Sequence, residues 1–258
     1  MPKKIKHIFY TPFTGKGLYG GFRGQDWYRL RTEIFEKYTL KSLMAQTSKD
    51  FLLWVSFRPE EIFNPVTKKI ANAITKSKLQ NIMSFNGIMM TDDKVIESNN
   101  TLKERLEAVL PNVKKAVGDA DYIYETNLDS DDMVHTDFSK LVQGEKFRDK
   151  GALYCKKGFA YNIQDRLAHW LNPESNQNYT IMFPQEDYFN AEKRIDYLNN
   201  LSSHEQVPKK FDAKQMPDGM YCTVIHGTNI STIWNHPFMG EEIPYEDEKQ
   251  AILKEFGV

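Results

Sequence analysis

Apolar residues fall into short runs separated by stretches of helical period. Ile5–Tyr10, Phe51–Phe57 and Tyr122–Leu128 are apolar-rich segments that read as strands, and Leu79–Phe85 is a weaker one. After the first run, Trp27, Leu30, Ile34 and Tyr38 recur at helical spacing. Before the fourth, Leu102, Leu106, Val109, Val113 and Val117 do the same, with Thr101 and Glu104 spaced as a capping box. Pro111 inside that run should kink or split the helix. Pro59–Lys76 is a poorer helical stretch. Strands alternating with helices over the first half predict an α/β class with a mainly parallel sheet covered by helices.

The second half breaks this rhythm. Leu153–Cys155 and Phe159–Ile163 flank Lys156-Lys157-Gly158, a pattern that predicts a hairpin. The polar run Asn172-Pro173-Glu174-Ser175-Asn176-Gln177-Asn178 reads as a surface loop. A helix is expected from Gln185. Tyr221–Ile225 is expected as a last strand inserted in the same sheet, and the acidic stretch Glu241–Lys249 should face solvent. Internal repeats and low-complexity tracts are absent.

The chain has 258 residues, with 34 basic and 35 acidic side chains and a formal charge of −1. Without a polybasic block, that balance argues against a protein built to grip a nucleic-acid backbone, and no nucleic-acid partner is expected. A hydrophobic share of 40% beside 27% charged residues describes a globular chain rather than a disordered or membrane one. Cys155 and Cys222 stand far apart in neither a CxxC nor a Cys/His spacing, which excludes a disulfide scaffold or zinc finger and suits a reducing interior. No apolar run is long enough to span a bilayer or form a signal-peptide core, so a cytoplasmic location is expected.

The best chemical signal is Leu128-Asp129-Ser130-Asp131-Asp132, at the carboxyl end of the fourth strand, where open α/β sheets bind ligands. Two like charges about 4 Å apart repel by roughly 4 kcal/mol at an effective dielectric of 20. Either water solvates the cluster or a cation neutralises it, and an apolar strand feeding directly into it favours a hard divalent ion on oxygen ligands. Met133 and Val134 at the fifth and sixth positions exclude an EF-hand. Gly15-Lys16-Gly17-Leu18-Tyr19-Gly20 matches GxGxxG, but Gly21 and Gly24 delay the helix and no acid ends the second strand. The run reads instead as a long mobile loop able to close over a ligand.

Val224-Ile225-His226-Gly227-Thr228-Asn229 ends the last predicted strand. His226 is either a hydrogen-bonded structural residue or the group that completes a carboxylate site. Gln185-Glu186-Asp187 and Ser203-His204-Glu205 supply four candidate general bases, Glu186, Asp187, His204 and Glu205. The helix macrodipole accounts equally well for the two acids in a first turn.

Asp26-Trp27, Arg31, Ile34-Phe35, Tyr38-Thr39-Leu40, Ser42-Leu43 and Gln46-Thr47 leading into Phe51, followed by Leu128–Asp132 and Ile225–Asn229, together resemble bacterial and phage GT-A glycosyltransferases, in particular the "putative rhamnosyltransferase" family. The order and spacing fit over almost the whole chain. The resemblance implies one GT-A domain over residues 1–258, a mixed Rossmann-like sheet flanked by helices, with a nucleotide-sugar-binding half to about residue 132 and an acceptor-binding half beyond. It implies a metal-dependent transfer of a sugar from a nucleotide-sugar to a hydroxyl of a saccharide or glycolipid. Asp129, Asp131 and His226 would hold Mn²⁺ or Mg²⁺, and Arg31, Asn127, Asp132 and Asn229 would face the donor. The family commonly has arginine where this chain has Asn127, and aspartate where the second strand runs into Phe57-Arg58-Pro59, so the donor stays open. Peripheral membrane contact is open as well. A nucleotidyltransferase is the rival enzyme, resembled only in the glycine content of 15–24. A non-catalytic saccharide-binding protein is the other, supported only by an aromatic content of 13%.

Overall fold

The computed structural model describes residues 3–14, 24–87, 99–198, 201–229 and 232–258. Apart from Gly24, the glycine-rich run 15–24 lies outside them. In chain order the strands are β1 (Ile5–Pro12), β2 (Phe51–Ser56), β3 (Asn81–Ser84), β4 (Tyr122–Asn127), β5 (Met133–Val134), β6 (Gly151–Tyr154), β7 (Lys157–Asn162), β8 (Arg166–Leu171), β9 (Thr180–Pro184), β10 (Asp212–Gln215), β11 (Tyr221–Ile225) and β12 (Met239–Glu242). The helices are α1 (Gln25–Ile34), continued by a π-helical segment (Phe35–Thr39) into α2 (Leu40–Met44), then α3 (Pro65–Ser77), α4 (Asn99–Val117), α5 (Phe138–Gly144), α6 (Gln185–Tyr188), α7 (Ala191–Leu198), α8 (Val207–Lys210) and α9 (Glu246–Glu255).

Seven strands form one sheet in the order β10-β6-β9-β4-β1-β2-β3. Within it β4, β1, β2 and β3 run parallel, while β9 is antiparallel to both β4 and β6. The continuous apolar runs have a simple cause: both faces of this sheet are covered. On β2, Phe51, Leu53 and Val55 pack toward α1, α2, α3 and the second sheet, whereas Leu52 and Trp54 pack toward α4, α6 and α7. The α/β class with a mixed sheet flanked by helices is the one expected.

A second sheet, β12-β8-β7-β11-β5, lies against the first core and carries α9 on its own buried face. β11 belongs to this sheet, paired with β7 and β5, and not to the first as expected. The expected hairpin is also replaced. β6 pairs with β9 and β10 in the first sheet, β7 with β8 and β11 in the second, so the chain crosses between sheets at Cys155-Lys156. Gly158 is a close-approach residue rather than a turn residue, since a Cβ there would lie 2.4 Å from the Tyr221 carbonyl oxygen. The true hairpin joins β7 to β8, where Asn162 Oδ1 accepts from the Gln164 amide at 2.8 Å and Asp165 takes a φ of 68°.

Other expectations shift for local reasons. α4 continues through Pro111 as one helix, and it is already helical at Asn99, so Thr101 is not its cap. α3 owes its start to Asn64, which accepts from the Val66 amide at 2.9 Å with Pro65 at the first turn. The stretch 241–249 is largely exposed, as expected, although Ile243 and Lys249 are buried. The polar run 172–178 is not a surface loop: Asn172, Ser175, Asn176 and Asn178 are buried. Among the described residues no helix is long and apolar enough to cross a membrane.

Candidate functional site

The acidic residues form the turn by which the chain leaves the first sheet for the second. Leu128 is fully buried and donates its amide to the Tyr10 carbonyl at 2.9 Å, which extends β4 pairing to the sheet's rim. The Asp132 amide then bonds the Asp129 carbonyl at 3.2 Å, and β5 carries the chain into pairing with β11. The turn therefore sits between the carboxyl ends of β4 and β11.

Its carboxylates have three different environments. Asp132 is 1% exposed and ties three segments together. Its Oδ2 accepts from Gln177 Nε2 at 2.6 Å, Asn178 Nδ2 at 3.1 Å and Thr223 Oγ1 at 3.4 Å, while Oδ1 accepts from the Val224 amide at 3.2 Å. Burial and the neighbouring Asp131 and Asp129 nevertheless push its pKa well above the usual carboxylate range. Asp131 Oδ2 is the convergence point. It is ion-paired with Arg31 Nη1, lies 3.0 Å from His226 Nε2 and accepts from Asn229 Nδ2 at 3.2 Å. Burial acts upward on Asp131, but the Arg31 charge and His226 outweigh it and hold the group below its ordinary value. Asp129 is partly exposed, and its carboxylate makes no hydrogen bond or ion pair among the described residues. Burial and the Asp131 charge raise it to about 6.

Arg31 reaches this turn because of how its helix is wedged. Tyr28, Thr32 and Phe35 face the core under the first sheet, and Leu30, Ile34 and Tyr38 face the second sheet. With about 3.6 residues per turn, Arg31 falls between the two stripes and points along the seam. Its Nε donates to Ser130 Oγ at 2.8 Å, and its guanidinium lies 5.7 Å from the Trp27 ring. His226 is held equally firmly: Nδ1 lies 2.9 Å from Thr228 Oγ1, and its amide donates to Asn229 Oδ1 at 2.7 Å. Asn229 also donates to the Val224 carbonyl at 2.8 Å, clamping the turn that Gly227, at φ 77°, begins.

The structure thus brings together Arg31, Asp129, Asp131, Asp132, His226 and Asn229. Asn127 sits at the rim, but its Nδ2 donates to the Gln177 carbonyl at 3.0 Å, so its amide holds the 172–178 segment. His204 reaches the same segment, its Nδ1 lying 2.6 Å from the Ser175 carbonyl oxygen. Glu205 is exposed beside it. Glu186 and Asp187 are not part of this assembly. β9 runs antiparallel to β4 and delivers them beside Tyr122, where the Gln185 amide bonds Asp121. From Asp121 to Asp129 is roughly 25 Å of strand at about 3.3 Å per residue. Asp187 pairs instead with Lys193 at 3.2 Å. Sequence reasoning missed Ser130, Gln177, Asn178 and Thr228. The only sequence signal for Gln177 and Asn178 was the density of amide side chains in 172–178, which reads equally as a solvated loop.

Among the described residues, no three His, Cys, Asp or Glu side chains are grouped so as to hold a metal ion by themselves. Asp131 Oδ2 and His226 Nε2 lie 3.0 Å apart with the Arg31 cation beside both, and Thr228 is placed to fix the imidazole. Asn178 Oδ1, beside Asp132, is buried with no hydrogen-bond partner among the described residues. This donor set fits an ion that brings phosphate oxygens of its own, as Mg²⁺-type ions do.

No curated protein matches the chain. A similar solved structure is that titled a putative nucleotide-diphospho-sugar transferase from Desulfovibrio desulfuricans G20. It is 13% identical, the match covers 86% of this chain and 83% of that one, and the TM-score is 0.31. A family described as "Putative rhamnosyl transferase" matches residues 23–156. That span is over half of the chain and carries both Arg31 and the whole acidic turn, and the chain accordingly belongs to this family.

Proposed function

We propose that the chain is a glycosyltransferase, moving a sugar from a nucleotide-sugar donor to a hydroxyl of a saccharide or glycolipid. The observation that carries the reading is the convergence of Arg31, His226 and Asn229, from two distant segments, on the single carboxylate of Asp131 at the carboxyl end of β4. That carboxylate has three partners, beside a second one, Asp129, that has none among the described residues.

In this reading Asp129, Asp131 and His226 hold Mn²⁺ or Mg²⁺. The ion, when bound, neutralises charge that builds on the leaving diphosphate. Arg31 presents a guanidinium that matches phosphate oxygens, and Asn229 presents an amide donor beside it. Asp132 keeps the turn in place from below through Gln177, Asn178, Thr223 and Val224. Of the four candidate bases, His204 is the one the fold leaves beside the segment that lines the site. Its Nδ1 donates to the Ser175 carbonyl, which fixes the ring against that segment.

Incubation with a panel of nucleotide-sugars, followed by detection of released nucleotide, tests the reading. Slow hydrolysis of one donor, lost in Asp131→Asn, is the expected result. Release from no member of the panel, together with no nucleoside diphosphate binding by calorimetry, removes it.

A further inference from the structure

We propose that Arg31 is a built-in counter-ion, occupying the cation position of the acidic turn in the free protein and yielding it only when a metal–nucleotide complex arrives. The proposal rests on the donor-site reading above, and it adds that metal and nucleotide bind as partners rather than independently. Arg31 Nη1 is ion-paired with Asp131 Oδ2 and lies 3.3 Å from His226 Nε2, so one guanidinium nitrogen faces both atoms a metal would use. The Arg31 side chain is 12% exposed and that of Asp131 7%, so bulk water cannot replace the charge there. Asn229 Nδ2, a neutral donor at 3.2 Å, is the remaining group on that oxygen.

The same geometry shows how the position can be vacated. The other edge of the guanidinium is held by a neutral hydroxyl, Ser130 Oγ at 2.8 Å, and the flat face rests near the Trp27 ring. Arg31 is carried on a long unbranched arm from α1, so its head can turn without moving the helix. A bare divalent ion would have to eject the guanidinium into a site that, among the described residues, offers no other anion except Asp129 and Asp132, the latter already holding four donors. A diphosphate arriving with the ion gives Arg31 new oxygens, to which a guanidinium is well matched. The bare ion is therefore opposed by Arg31, and the ion with diphosphate is helped by it.

The test is Mn²⁺ binding by the full chain, followed through the electron paramagnetic resonance of free Mn²⁺, with and without GDP, UDP or dTDP. The wild type should bind Mn²⁺ weakly alone and more tightly with its nucleotide. Arg31→Gln should tighten binding of Mn²⁺ alone by roughly tenfold or more, the scale expected from removing one partly screened unit charge at close range, and should lose most of the nucleotide's enhancement. Arg31→Lys, which keeps the charge, should stay near the wild type. Ser130→Ala, which removes only the hydroxyl aiming Nε, should shift binding in the same direction by less, and serves if Arg31→Gln does not fold. Wild type and Arg31→Gln binding Mn²⁺ alike, with nucleotide still enhancing both, would overturn the counter-ion and leave the metal site standing. No Mn²⁺ binding by any form, with or without nucleotide, would overturn both.

Discussion

β4 serves two buried clusters of charge, one along its length and one at its end, and they are built on opposite plans. Mid-strand, Glu125 accepts two bonds of 2.9 Å from Arg194 Nη2 and a further bond from the Tyr188 hydroxyl. Arg194 is fully buried and its guanidinium stacks 4.1 Å from the Tyr188 ring. One carboxylate meets one cation between the sheet and α6–α7, and the charges cancel. At the strand's end three carboxylates, Asp129, Asp131 and Asp132, stand together, and Arg31 is ion-paired with Asp131. Burying that surplus opposes folding. The first cluster fastens helices to the sheet. The second keeps a place for positive charge that the chain itself only partly supplies.

The largest effect should come from breaking the closed pair. Arg194→Met is expected to cost about 3–5 kcal/mol in urea unfolding, because it strands Glu125 in an apolar layer. Adding Glu125→Leu should recover much of that loss, since a closed ion pair can be exchanged for apolar packing. Full recovery of stability with normal turnover would confirm that this cluster is architectural. A double variant that folds but has lost turnover would make it part of the site.

The site should behave in the reverse sense. Asp131→Asn is expected to reduce turnover of the best donor by roughly 100-fold or more, the scale of losing a charged group aimed at the reacting centre. Its melting temperature should change little. His226→Ala should follow with a loss of about 10–100-fold, with stability again nearly unchanged. If either variant lost stability in proportion to activity, the contrast with Glu125 and Arg194 would collapse.

The smallest effect, and the sharpest in sign, concerns Asp129. Its pKa is raised from an ordinary 3.8 to about 6, so the folded chain holds this proton more tightly than the unfolded one. By linkage its contribution to stability is fully present at a pH below the ordinary value and is lost as the pH rises through about 6. Asp129→Asn, which mimics the protonated form, should therefore stabilise the fold by about 1–3 kcal/mol near neutral pH. It should do nothing near the pH where both forms are protonated. Thermal melts of wild type and variant across that range read the difference directly. Equal melting temperatures at neutral pH would show that the charge is already neutralised.

Sequence alone determined the strands that lie in the parallel part of the sheet. A strand buried on both faces tends to a near-continuous apolar run, as Phe51–Val55 is, and that signal survives without any knowledge of partners. It also determined the acidic turn, because three carboxylates directly after such a strand cannot be accidental loop polarity without cost. Tertiary structure decided what pattern cannot encode. Strand direction is invisible in a hydrophobic run, and the antiparallel course of β9 is what carries Glu186 and Asp187 to the wrong end of the sheet. Sheet membership is equally invisible: β11 lies in the second sheet, yet its end still brings His226 to Asp131 because β5 turns the chain across to meet it. The polar segment 172–178 shows the same limit from the other side. Asparagine and glutamine look solvated by composition, but a buried carboxylate such as Asp132 needs neutral donors from elsewhere in the chain, and only the folded arrangement shows that these amides are the ones it uses.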